Sequence, residues 1–138
     1  DGIPVLAEAQ MADGLPSGGF YVAPVLFGPV PRENSLACDE VFGPVLSIIP
    51  FEDEADAVKL ANATQFGLVA GIWTRDGARQ MRVAKKMRCG QVFVNGYGAG
   101  GGIELPFGGV KKSGHGREKG MEALKEFSHT KTIVFKHG

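Results

Sequence analysis

Two cysteines, three histidines and fifteen carboxylates are the groups in this sequence with the chemistry for nucleophilic attack, metal ligation or acid–base work. A reactive thiol needs cationic neighbours or a helix N-terminus to lower its pKa. Cys38 is followed by Asp39 and Glu40, and Cys89 falls at the end of an expected helix, where the dipole disfavours a thiolate. Both read as inert. His115, His129 and His137 have no ligand-like spacing and read as surface residues, so no metal site is expected. Gly96, Gly98 and Gly101 spell G-x-G-x-x-G directly after an expected strand. That motif holds a dinucleotide only where the third glycine opens a helix facing the pyrophosphate. Here Gly102-Ile103-Glu104-Leu105-Pro106-Phe107-Gly108-Gly109 follows, without helical period, so the stretch reads as a loop lining a site. On residue type alone, Glu40 is a solvated acid ahead of a strand, and Glu118 is an acid suited to a helix's first turn.

The elements that would position these residues follow from periodicity. Residues 21–27 are rich in β-formers, with Pro24 arguing for an edge or irregular strand. Residues 45–49 and 68–73 are short apolar runs that read as strands buried on both faces. Between them, Glu52, Asp53, Glu54 and Asp56 open an Ala-rich helix with Val58, Leu60 and Ala61 on its apolar side. Asp76 can cap a second helix in which Ala78, Met81, Ala84 and Met87 recur, and which ends in Lys85, Lys86 and Arg88 before Gly90. Residues 91–95 form a further strand. This βαβαβ order with short connections predicts an α/β fold with a parallel sheet. Residues 117–127 form another helix with Met121, Leu124 and Phe127 on one side, and residues 132–136 a final alternating strand. One α/β unit with a terminal strand is expected, long enough to bury a core.

Composition narrows the function classes. Fifteen basic and fifteen acidic side chains give zero net charge, which argues against a nucleic-acid partner. No apolar run approaches the roughly 20 residues that span a bilayer, so no membrane role is expected. Neither a signal-peptide core nor an initiator Met opens the sequence, which suggests a piece of a longer polypeptide. Two cysteines without metal or redox spacing fit reduced thiols in a cytoplasmic protein.

Three segments read in order change the picture: Glu40-Val41-Phe42-Gly43-Pro44-Val45, then Gln91-Val92-Phe93-Val94-Asn95, then Pro106-Phe107-Gly108-Gly109-Val110-Lys111-Lys112-Ser113-Gly114-His115-Gly116-Arg117-Glu118. Together they resemble the aldehyde dehydrogenase superfamily, from about residue 2 to residue 134. The resemblance implies oxidation of an aldehyde to a carboxylate with NAD or NADP. In that family a cysteine attacks the carbonyl, hydride leaves to the nicotinamide, and water activated by a glutamate cleaves the thioester. The nucleophile and first general base of the family lie upstream of everything seen here. Residues 1–129 would then be the C-terminal portion of the catalytic domain, and residues 130–138 an oligomerisation strand joining a homodimer or tetramer.

The resemblance also implies roles for individual residues. Glu40 matches the glutamate that binds the ribose next to the nicotinamide, where a carboxylate can accept from two vicinal hydroxyls. Phe42 matches the aromatic beside the nicotinamide ring. Phe107 matches a phenylalanine of the aldehyde pocket, and Glu118 an acid proposed to relay protons in some members. Asn95, at a strand end, would anchor loop backbone around the pocket. The glycines of 96–102 stand where many members place bulky aromatics, which implies a roomier entrance. Two other readings stay open: a free-standing, non-catalytic binding or assembly module, and the same fold running the chemistry of related acyl-phosphate reductases.

Overall fold

The computed structural model describes residues 2–98 and 102–138; Ala99, Gly100 and Gly101, including the third glycine of the G-x-G-x-x-G match, lie outside the described residues. The chain gathers into two compact units, residues 1–64 and 65–138.

The first unit is a three-stranded sheet of order β1-β2-β3, with β1 at Val5–Glu8, β2 at Val25–Phe27 and β3 at Val45–Ser47. β1 runs antiparallel to β2, and β3 runs parallel to it, pairing Val25 with Val45 and Phe27 with Ser47. The strand expected to be an edge or irregular one is central, and its pairing with β1 carries a register shift between Val5 and Ala7. Pro24 stops short of the ladder, so its missing N–H is never required, while its carbonyl accepts from the Ala9 amide at 2.9 Å. A short helix, α1 at Ser35–Cys38, is capped by the Asn34 side chain accepting from the Leu36 amide. Helix α2, Glu54–Ala63, starts where Asp53 accepts from the Asp56 amide at 2.8 Å, with Glu54 and Asp56 in its first turn as the dipole favours. Val30 is the one buried large hydrophobic side chain among the described residues of this unit.

In the second unit β4, Val69–Ile72, runs parallel to β5, Gln91–Val94, in the register Val69–Gln91 to Ile72–Val94. The crossover is α3, Gly77–Lys86, whose expected cap is in place: Asp76 accepts from the Arg79 amide at 3.0 Å. A 3-10 turn at Lys111–Ser113 and helix α4, Gly120–Glu126, complete the unit.

The α/β class and its parallel strands are as expected, with some corrections. Among the described residues β3 pairs in parallel with β2, a partner the expected βαβαβ unit did not include. Neither apolar run is buried on both faces: Leu46 and Trp73 are largely exposed, and Ile72 alone is buried in its strand. The packed side of α3 is Gln80, Val83, Ala84 and Met87, with Ala78 and Met81 outside, because i, i+3, i+4, i+7 follows the 3.6-residue turn better than a repeat of three. Helix α4 begins three residues later than expected, since Lys119 and Gly120 both adopt φ of 60°. Residues 128–138 form no strand here, and Ile133, Val134 and Phe135 are exposed. A strand needs a neighbour to satisfy its backbone groups, and no described segment offers one.

Candidate functional site

In the first unit the two residues of interest sit on one short connection. The amide of Asp39 donates to the Ser35 carbonyl at 2.8 Å and ends α1, and Asp39 itself is extended, leading the chain into Glu40. Two successive three-residue turns follow, Gly43 amide to Val41 carbonyl and Val45 amide to Gly43 carbonyl, both 2.8 Å. Phe42 is the corner of the first turn and is 96% exposed; Glu40 is exposed as well. The two ends of the connection are clipped together, because Ser47 of β3 donates its hydroxyl to the Leu36 carbonyl of α1 at 3.1 Å. An open carboxylate two residues from a bare phenyl face offers a hydrogen-bond acceptor and a flat apolar surface, the pairing that a diol beside a flat heterocycle would need.

The same unit holds a bidentate ion pair, Arg32 to Asp56 at 2.8 and 2.7 Å, with the Glu52 amide also donating to Asp56. That arrangement holds the Asp56 carboxyl below its ordinary range, chiefly through the Arg32 hydrogen bond. It fastens the segment before α1 to the first turn of α2.

In the second unit, Phe107 and Glu118 come together. Each donates its amide to the other's carbonyl at 2.7 Å, forming an isolated antiparallel bridge. Glu118 is thus extended rather than a first-turn helix acid, and directly opposite partners in such a pair share one face. Phe107 is half-buried and Glu118 exposed. Its loop is clamped from several sides. Gln91, the first residue of β5, donates Nε2 to the Pro106 carbonyl at 2.9 Å. Arg117 donates Nη1 to the carbonyls of Gly109 and Gly116, at 2.9 and 2.6 Å. A Cβ on Gly90 would run into the Gly108 carbonyl, so the close approach of those two backbones needs glycine. The Lys119 ammonium lies over the Phe107 ring, 5.8 Å from its centroid.

Asn95 closes β5 and binds the backbone after β4: its Oδ1 accepts from the Thr74 amide at 2.8 Å, and its Nδ2 donates to the Thr74 carbonyl at 2.9 Å. Its φ of 53° is one that asparagine tolerates better than most side chains. Gln91, Arg117 and Lys119 were not singled out from the sequence. A polar residue opening the otherwise apolar strand Gln-Val-Phe-Val was the available signal for Gln91, and Arg117 stands next to a glycine-flanked turn.

The cysteines carry no sign of activation. Cys89 is half-buried and donates to the Gln91 carbonyl at 3.1 Å, and burial pushes its thiol pKa up. Cys38 donates to the Arg32 carbonyl at 3.3 Å.

Comparison with known proteins bears on what this geometry serves. A betaine aldehyde dehydrogenase of Rhizobium etli is 38% identical over 133 residues, which is 96% of this chain and 27% of the relative. A crystal structure of a candidate aldehyde dehydrogenase from Burkholderia cenocepacia has 62% identity and a TM-score of 0.90, over 99% of this chain and 29% of that one. The Mycobacterium tuberculosis aldehyde dehydrogenase complexed with NAD+ superposes with a TM-score of 0.86 at 34% identity, over 99% of this chain and 28% of that one. The chain thus spans about a quarter of the length of the relatives it matches. Residues 1–133 match the Aldehyde dehydrogenase family, and this chain belongs to that family.

Proposed function

We propose that this chain is the C-terminal part of an NAD- or NADP-dependent aldehyde dehydrogenase, oxidising an aldehyde to a carboxylic acid, whose cysteine nucleophile lies on polypeptide upstream of these residues. The family match across residues 1–133 carries the reading. Among the cysteines present, neither Cys38 nor Cys89 sits in an activating environment, which supports a nucleophile elsewhere. The dinucleotide, when bound, supplies the hydride acceptor. Glu40 accepts the hydroxyls of its nicotinamide ribose, and Phe42 restricts the ring beside it. Phe107 lines the aldehyde pocket, and Asn95 anchors loop backbone around it by holding the segment after β4. Glu118, tied to Phe107 through the backbone, is the acid available for proton relay.

The experiment compares two proteins, the chain alone and the chain extended upstream by the remaining three-quarters of the family's length. Reduced cofactor is followed by absorbance with a panel of aldehydes. Turnover by the extended protein and none by the chain alone is expected. Turnover by the chain alone overturns the reading.

A further inference from the structure

The ring that lines the proposed aldehyde pocket already has a cation on it. Lys119 Nζ lies 5.8 Å from the Phe107 centroid, within the roughly 6 Å at which an ammonium is attracted to a ring face. Two features hold the ammonium there. The reciprocal 2.7 Å hydrogen bonds between Phe107 and Glu118 bring residues 117–119 alongside the ring. The φ of 60° at Lys119 then turns the chain out of the extended run, at the step where a regular strand would send the side chain to the opposite face.

We infer that Lys119 is a specificity-determining residue that sets the charge class of the substrate, favouring neutral or anionic aldehydes and rejecting cationic ones such as trimethylammonium aldehydes. This rests on the assignment of Phe107 to the aldehyde pocket. The physical case has two parts. A ring face polarised by one ammonium offers less to a second cation, and the two positive charges repel across the ring. Glu118 brings a carboxylate to the same ladder step. Lys119 offsets the attraction that this carboxylate would hold for a cationic substrate.

The test uses the full-length enzyme and two aldehydes of one shape, trimethylammonioacetaldehyde and its tert-butyl isostere, 3,3-dimethylbutanal. The ratio of their kcat/KM values cancels effects on folding or on chemistry common to both. In Lys119→Met the ratio should shift towards the cationic aldehyde by about tenfold, the order expected of one unit charge at a partly solvated site. Lys119→Gly, which removes the charge and suits the left-handed φ, should shift it likewise. Lys119→Arg, which keeps the charge, should leave it unchanged. An unchanged ratio in both neutral variants overturns the inference. Phe107→Ala reads the underlying assignment separately: unaltered kcat/KM for the neutral aldehyde overturns the pocket assignment, and the inference with it.

Discussion

Glu40 illustrates how little a residue type says without its setting. A glutamate ahead of a strand is ordinarily a solvated acid, and here it is exposed. What distinguishes it is placement, on a connection clipped at both ends and two residues from the bare ring of Phe42. In the complete enzyme, Glu40→Ala should remove charge-assisted hydrogen bonds to the ribose, a loss of roughly 1.5–3 kcal/mol. A misplaced nicotinamide should slow hydride transfer more than acylation. Single-turnover kinetics with both steps resolved would check this, and unchanged cofactor affinity together with an unchanged hydride-transfer rate would refute the role. Asn95 is the opposite case. Its two hydrogen bonds to Thr74 use both ends of the amide and hold the backbone after β4.

At the scale of elements, α1, α2 and α3 begin where capping side chains stand, whereas α4 starts at a positive-φ residue without one. Asp53 and Asp76 each accept from an amide three residues ahead, and the acids of α2 crowd its first turn. The Arg79 amide is the main reason the Asp76 carboxyl sits below its ordinary value, and Arg32 does the same for Asp56. A carboxyl depressed in the folded state contributes stability that is present above the unfolded carboxylate range and is lost as pH falls through the folded value. Asp76→Ala should therefore destabilise α3 at neutral pH, and the difference from the parent should shrink on acidification below about pH 4. Urea midpoints of parent and variant across that range measure it. A difference that persists undiminished at the acid end would show that the capping carboxylate is not its source. The strands behave otherwise. Pro24 led us to expect an edge or irregular strand at β2; it is central, since the proline stops one residue before the paired segment, and its ladder with β1 is irregular.

Across the whole chain, the apolar surface is the dominant fact. Val30 and Ile72 are the buried large hydrophobics among the described residues, whereas Phe20, Phe42, Met121, Leu124 and Phe127 stand exposed. Exposed apolar area on this scale normally marks surface that another segment or subunit covers. It agrees with a chain spanning about a quarter of its relatives' length. The tail is one such surface. Residues 133–135 are apolar and β-prone, and Lys131, Lys136 and His137 supply charge only at the ends. We expect the complete enzyme to be a dimer or tetramer built partly through this segment. Truncation before Thr130 should lower the mass seen by light scattering; an unchanged mass and stability would mean that the tail is not an assembly element.

The sequence by itself determined what local physics encodes. Capping side chains, acidic first turns and short apolar runs placed the starts of α2 and α3 and both ends of β4 and β5 to within a residue or two, because such signals act among neighbours along the chain. The ordered motifs carried the family resemblance for the same reason: they are linear patterns. Which strands pair, which helix face packs and which loops touch depend on contacts between residues far apart in sequence, and only the tertiary structure decided them. It took β3 to β2, and it turned α3 onto Gln80 and Val83. It also drew Glu118 out of a helix into a bridge with Phe107, and swung Lys119 over the ring. The last two follow from a left-handed residue at Lys119 that no side-chain pattern announces, since lysine has no intrinsic preference for it.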